Sequence, residues 1–144
     1  MILAFRSSIG AEGRFFAPVG DASVSIVDVR DIAAVAAVAL TQNGHAGKTY
    51  DITGPEALTH HAMASLLRTA LGKTVTFVDI PEAVMREGLL RFGFPEWQAD
   101  GLIEDYAHYR RGEAAGISTA VKEVTGLAAR SFRNFAEDYR QAFL

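Results

Sequence analysis

The sequence predicts an α/β fold with about four short strands and a helix-rich second half. Four short runs rich in β-branched or aromatic residues, at 13–18, 24–29, 48–53 and 75–80, read as strands. Longer runs with apolar residues at helical spacing lie between and after them. Alternation of the two indicates α/β architecture. No internal repeat, low-complexity run or linker divides residues 1–144, so they are read as one domain.

Residues 2–9 put Ile2, Phe5 and Ile9 on one face, as in a short helix. GRFFAP, bounded by Gly13 and Pro18, reads as a strand, and Val19-Gly20-Asp21 as a turn. Residues 24–29 alternate as a strand does. These two strands form either a hairpin or parts of different sheets. Asp31 is placed at the start of the next helix, with Asp28 as a competing cap. Residues 32–40 hold almost nothing polar, so that helix calls for burial on more than one face. Asn43-Gly44 and Gly47 end it, KTYDIT follows as a strand, and Gly54-Pro55 closes that strand.

Thr59 is an N-cap for a helix with Ala62, Met63, Leu66, Leu67 and Ala70 on one face and Gly72 at its end. After the VTFVDI strand, Pro81 opens a helix at its first position, with Met85, Leu89 and Phe92 as its stripe. Gly93-Phe94-Pro95 breaks it. A further helix runs from Pro95 to about Arg111 and carries Trp97, Leu102, Ile103, Tyr106 and Tyr109. Residues 119–125 form a short helix stopped at Gly126. Ser131 caps a last one, with Phe132, Phe135, Ala136, Tyr139 and Phe143 facing inward.

Composition excludes several classes. The chain of 144 residues is 49% hydrophobic and 22% charged, with a formal net charge of −3. That balance argues against a basic nucleic-acid or membrane footprint. No cysteine is present, which removes disulfides, thiolate metal sites and cysteine nucleophiles, and fits a reducing cytoplasm. No stretch has the length and apolarity of a membrane span, and MILAFRSSIG lacks the basic region and cleavage site of a signal peptide.

Several ordered motifs resemble one known family. They are GRFFAPVGD, the VDVRDIA junction, the apolar helix, GKTYDITGPE, VTFVDIP, PEWQADGL, and the closing TGL, SF and FAEDY. Together they resemble the C-terminal portion of the NmrA-like branch of the atypical short-chain dehydrogenase/reductases. The resemblance implies the substrate-side part of an NAD(P)-binding Rossmann protein, without the N-terminal dinucleotide-binding half. Some family members reduce quinones, azo dyes or related acceptors with NAD(P)H, and others only sense the dinucleotide. Met1 is then read as falling within a helix or loop of a longer relative.

The resemblance implies NAD(P)H for a complete member, but no cofactor is expected to be bound by this chain alone. There is no G-x-G-x-x-G, and Gly10-x-x-Gly13 runs into a strand, the wrong context for a phosphate loop. Tyr-x-x-x-Lys is also missing; Tyr106-x-x-x-Arg110 is the nearest pattern, and Arg does not replace Lys in proton transfer. No catalytic residue is therefore assigned.

Phe94, Trp97 and Tyr106 are the candidate substrate-binding residues. They lie in the region that, by resemblance, overhangs the acceptor pocket, and aromatic faces stack on flat acceptors. Asp28, Arg30 and Asp31 are read as structural, a helix cap and an ion pair. His60 and His61 point about 100° apart on a helix and are read as surface residues rather than metal ligands.

Two functions follow from different classes. One is the substrate-side portion of an NAD(P)H-dependent oxidoreductase, inactive as an isolated chain, with a separate nucleotide-binding half as its partner. The other is a free-standing oligomeric interaction or regulatory module, a homodimer or larger, with helix 32–40 or a sheet edge at the interface.

Overall fold

The computed structural model describes residues 2–144. Met1, read above as part of a helix or loop of a longer relative, lies outside the described residues. A 3₁₀ turn, Ile2–Phe5, leads into α1 (Arg6–Glu12), which ends at Gly13 in the left-handed conformation, φ 66°. A Cβ at Gly13 would stand 2.4 Å from the Thr74 carbonyl oxygen, so the position accepts only glycine.

Strand β1 (Arg14–Ala17) follows, then β2 (Ser23–Val24) and α2 (Val29–Thr41). Next come β3 (Leu58–Thr59), α3 (His60–Leu71) and β4 (Thr76–Asp79). The remainder is helical: α4 (Glu82–Arg91), α5 (Glu96–Arg110), α6 (Ala120–Thr125), α7 (Phe132–Asp138) and a 3₁₀ turn, Arg140–Phe143. β1 pairs in parallel with β4, setting Phe15 opposite Phe77, while β2 pairs antiparallel with β3. β1 and β2 thus belong to different sheets and form no hairpin.

One core joins these elements. Phe15 and Phe77 meet Met63 and Leu67 from α3, and Phe132, Ala136 and Phe143 complete it from the C-terminal end. Thr59 caps α3 by accepting the Ala62 N–H at 3.1 Å. Ser131 and Asn134 form a reciprocal capping box on α7. Pro81 and Pro95 stand one residue earlier than expected, as N-caps of α4 and α5.

Three expectations are corrected. Of residues 24–29 only Val24 lies in a strand, and residues 48–53 form none. A strand exists only where a neighbour pairs with it, and the backbone N–H groups of residues 49–53 donate to nothing among the described residues. Second, α2 is not buried on several faces. Only Asp31 and Val35 are buried, and Val29, Ile32, Ala33, Ala36, Ala37 and Leu40 form an exposed apolar stripe. Its other side packs on α6.

Third, His60 is no surface residue. It is 1% exposed, with its ring 5.1 Å from Phe77 and 6.2 Å from Phe15, and neither ring nitrogen has a partner among the described residues. Burial, helped by neighbouring His61 and opposed by Asp79, pushes its pKa down to about 4. The ring is therefore neutral at pH 7.

Candidate functional site

A cleft of about 480 Å³ opens between the extended segment 24–28 and α7. Its size falls within the roughly 300–1,000 Å³ of small-molecule sites. The cap at Ser131 sets the start of α7, and helical spacing then turns Phe132, Phe135 and Tyr139 toward the cleft. Ile26 and Val27 form the facing wall, with Tyr109 at the C-terminal end of α5.

Hydrogen bonds fix that facing wall. Ser25 donates its N–H (2.8 Å) and its hydroxyl (3.0 Å) to the Ala114 carbonyl. The Ser25 carbonyl accepts the Gly54 N–H at 3.3 Å. Gly54 sits so close that a Cβ on it would be 2.0 Å from the Ile26 oxygen. Thr53 Oγ1 accepts the Ser118 N–H at 2.9 Å, and the Ser118 hydroxyl donates to the Asp51 carbonyl.

The floor is ionic and balanced. Asp28, not Asp31, is the cap of α2, accepting the Arg30 N–H at 2.9 Å. The Arg30 guanidinium also donates to both Asp28 oxygens, at 2.9 Å and 2.7 Å, and to Asp138 at 2.7 Å. That guanidinium holds the Asp28 carboxyl below the usual carboxylate range. It lies 5.3 Å from the Tyr139 ring centre, a cation–π contact. Asp31 takes the Arg130 backbone N–H at 2.7 Å and also its guanidinium. The structural reading of Asp28, Arg30 and Asp31 therefore agrees with the geometry, with the capping role moved to Asp28.

The three aromatic residues singled out in the sequence do not converge. Phe94 lies in the α4–α5 turn, Trp97 is 76% exposed, and Tyr106 is buried in the core beside Tyr109. Trp97 and Tyr106 are nine positions apart, about 180° around a helix, so they face opposite ways. None of the three lines the cleft. The cleft aromatics Phe135 and Tyr139 were legible only as the inward face of the last helix, and Tyr109 only as a neighbour of Tyr106. Arg110 donates to the Pro18 carbonyl at 2.6 Å and pairs with Asp79, a structural tie rather than half of a proton-transfer pair.

Several helix N-termini are already met by side chains or carry acids, while α1 and α6 have no side-chain cap. A bound pyrophosphate uses a free helix N-terminus or a free cation. Here α2 and α3 are capped by Asp28 and Thr59, while α4 and α5 carry Glu82 and Glu96 in their first turns. Arg130, the cation at the cleft, is engaged by Asp31. Among the described residues no group of three or more His, Asp or Glu side chains could hold a metal ion. No helix is long and apolar enough to cross a membrane.

Fold and comparisons together define the class. The chain is homologous to NmrA-like reductases of the NAD(P)-binding Rossmann superfamily and matches the C-terminal portion of their fold. It is 39% identical over 142 residues to the NAD(P)H azoreductase of Xenophilus azovorans, covering 99% of this chain and 50% of that protein. It is 35% identical over 141 residues to the (4-alkanoyl-5-oxo-2,5-dihydrofuran-3-yl)methyl phosphate reductase of Streptomyces griseus, covering 98% and 50%. Among solved structures, an NADPH-dependent quinone oxidoreductase from Escherichia coli superposes with a TM-score of 0.84 at 26% identity, over 94% of this chain and 50% of that one. The chain thus spans about half the length of the relatives it matches. No family model matches it.

Proposed function

We propose that residues 1–144 form one unit that supplies the acceptor side of an NAD(P)H-dependent reductase. The dinucleotide is held by a separate nucleotide-binding half, and hydride passes to a quinone-like or related acceptor. The observation that carries this reading is the aromatic-lined cleft, beside which the N-termini of α2 and α7 are already capped by Asp28 and Ser131. The half-length match to reductases supports it. The α2 stripe from Ile32 to Leu40 is suited to covering by that second half. No residue of this chain is assigned a catalytic role. A chain without cysteine suits the reducing cytoplasm, where we place it.

Reconstitution tests the reading. The half of the E. coli oxidoreductase that this chain does not cover is mixed with the chain, and NADPH oxidation by a quinone is followed. Acceptor-dependent oxidation above that of either part supports the proposal. A stable complex with no such gain contradicts it.

The same stripe favours a second reading, a homo-oligomeric interaction module without catalysis. Val29 is 68% and Leu40 86% exposed, and self-association is a usual way to cover such a surface. Light scattering that finds a monomer at micromolar concentration, together with a cooperative melt, rules this reading out.

A further inference from the structure

We propose that Asn43 is a site of spontaneous covalent modification, at which the turn after α2 closes on itself and converts the asparagine to aspartyl and isoaspartyl forms. The site lies outside the cleft, and the inference does not rest on the reductase reading.

Asn43 and Gly44 form an exposed turn directly after Gln42, the C-cap of α2. The Gly44 backbone nitrogen, on losing its proton, bonds to the side-chain carbonyl carbon of Asn43. Ammonia leaves with the side-chain nitrogen, and a five-membered imide remains. Solvent water then opens the imide at either carbonyl. One opening gives aspartate, and the other gives its isomer, with the main chain routed through the side chain. No oxidant or reductant enters.

The first step needs a free nucleophile and room for the ring to close. The Gly44 N–H donates to nothing among the described residues, and the Asn43 side chain makes no hydrogen bond among them. Gly44 stands at φ 96°, and a Cβ built on it would meet nothing within 4 Å, so no neighbour blocks the approach.

Similar sequences elsewhere in the chain lack this freedom. Asn134, the second asparagine, belongs to the capping box of α7. Its Oδ1 accepts the Ser131 N–H at 3.1 Å and the Ser131 hydroxyl at 2.9 Å. The nitrogen that would attack it, that of Phe135, donates to the Ser131 carbonyl at 3.2 Å. Asp100-Gly101 lies inside α5, where Arg86 donates to the Asp100 carboxylate at 2.6 Å. Only Asn43 therefore combines a free side chain with a free neighbouring amide. The product adds a carboxylate just past the C-terminal carbonyls of α2, where negative charge is disfavoured.

Peptide mapping tests the assignment. The purified chain is kept in neutral buffer at physiological temperature beside the free peptide QNGHAG, and samples are digested with trypsin over time. The peptide 31–48 should gain the mass difference between an amide and an acid and split into two chromatographic forms, at a rate close to that of QNGHAG. The peptide 134–140 should stay unchanged over the same period. Asn43→Gln should abolish the gain at 31–48, since its longer side chain would have to close a less favoured six-membered ring. A 31–48 peptide still intact when QNGHAG has half converted would overturn the assignment. Equal conversion at Asn134, or a gain at 31–48 that persists in Asn43→Gln, would do so as well.

Discussion

Asp31 and Arg130 are joined twice, through the Arg130 backbone N–H at 2.7 Å and through its guanidinium, across 99 positions of sequence. The contact fastens the first turn of α2 to the residue ahead of α7, and so sets the two walls of the cleft against one another. Asp31→Ala should lower stability by about 2 kcal/mol, because a buried acceptor is lost and the partner N–H is left unmet. For a chain of this size that is a fall of roughly 6 °C in melting temperature. A thermal melt followed by circular dichroism measures it.

His60 makes stability depend on pH. Its pKa is lowered from 6.5 to about 4 in the folded chain, so the unfolded chain takes up the proton first. Stability is then full above about pH 6.5 and falls as the pH drops toward 4, by about 3 kcal/mol in all. Urea melts at pH 7 and pH 5 should show the loss. His60→Leu, which places an apolar group in the same core, should remove most of that difference.

Gly54 should tolerate no side chain. Gly54→Ala would drive a Cβ into the Ile26 carbonyl, and the segment carrying Ile26 and Val27 would have to move. A cost of about 3 kcal/mol is expected, that of forcing a group into a packed site. Chemical shifts along residues 24–29 should move with it, and an unchanged melt would refute the close approach.

The exposed stripe of α2 should govern association. Val29→Glu combined with Leu40→Glu replaces two exposed apolar groups, so monomer stability should change by about 0.5 kcal/mol or less at each site. If the stripe mediates self-association, light scattering should show this double variant as a monomer where the parent is not.

Local chemistry made much of this fold legible. Thr59 and Ser131 announced their helices because a cap is decided by the residue and the next few amides. The strand at β1 was legible because its partner β4 lies within the chain. Residues 48–53 have the same propensity but nothing to pair with, so propensity misled there. His60 follows the same logic. Its position in the first turn suggested a surface residue, but packing between Phe15 and Phe77 put it in the core. The cleft depends on contacts such as Asp31–Arg130 that no local pattern reports. The choice of Trp97 and Tyr106 failed to converge because helical phase sets them on opposite faces.

The central claim is that this chain offers an acceptor site and leaves the dinucleotide to a second half. Calorimetric titration of the purified chain with NADPH and NADH tests it most directly. The account predicts no saturable heat up to millimolar dinucleotide, since the sequence has no glycine-rich phosphate loop and the α2, α3 and α7 N-termini are already capped. Saturable micromolar binding would contradict it and would place a nucleotide site within these 144 residues.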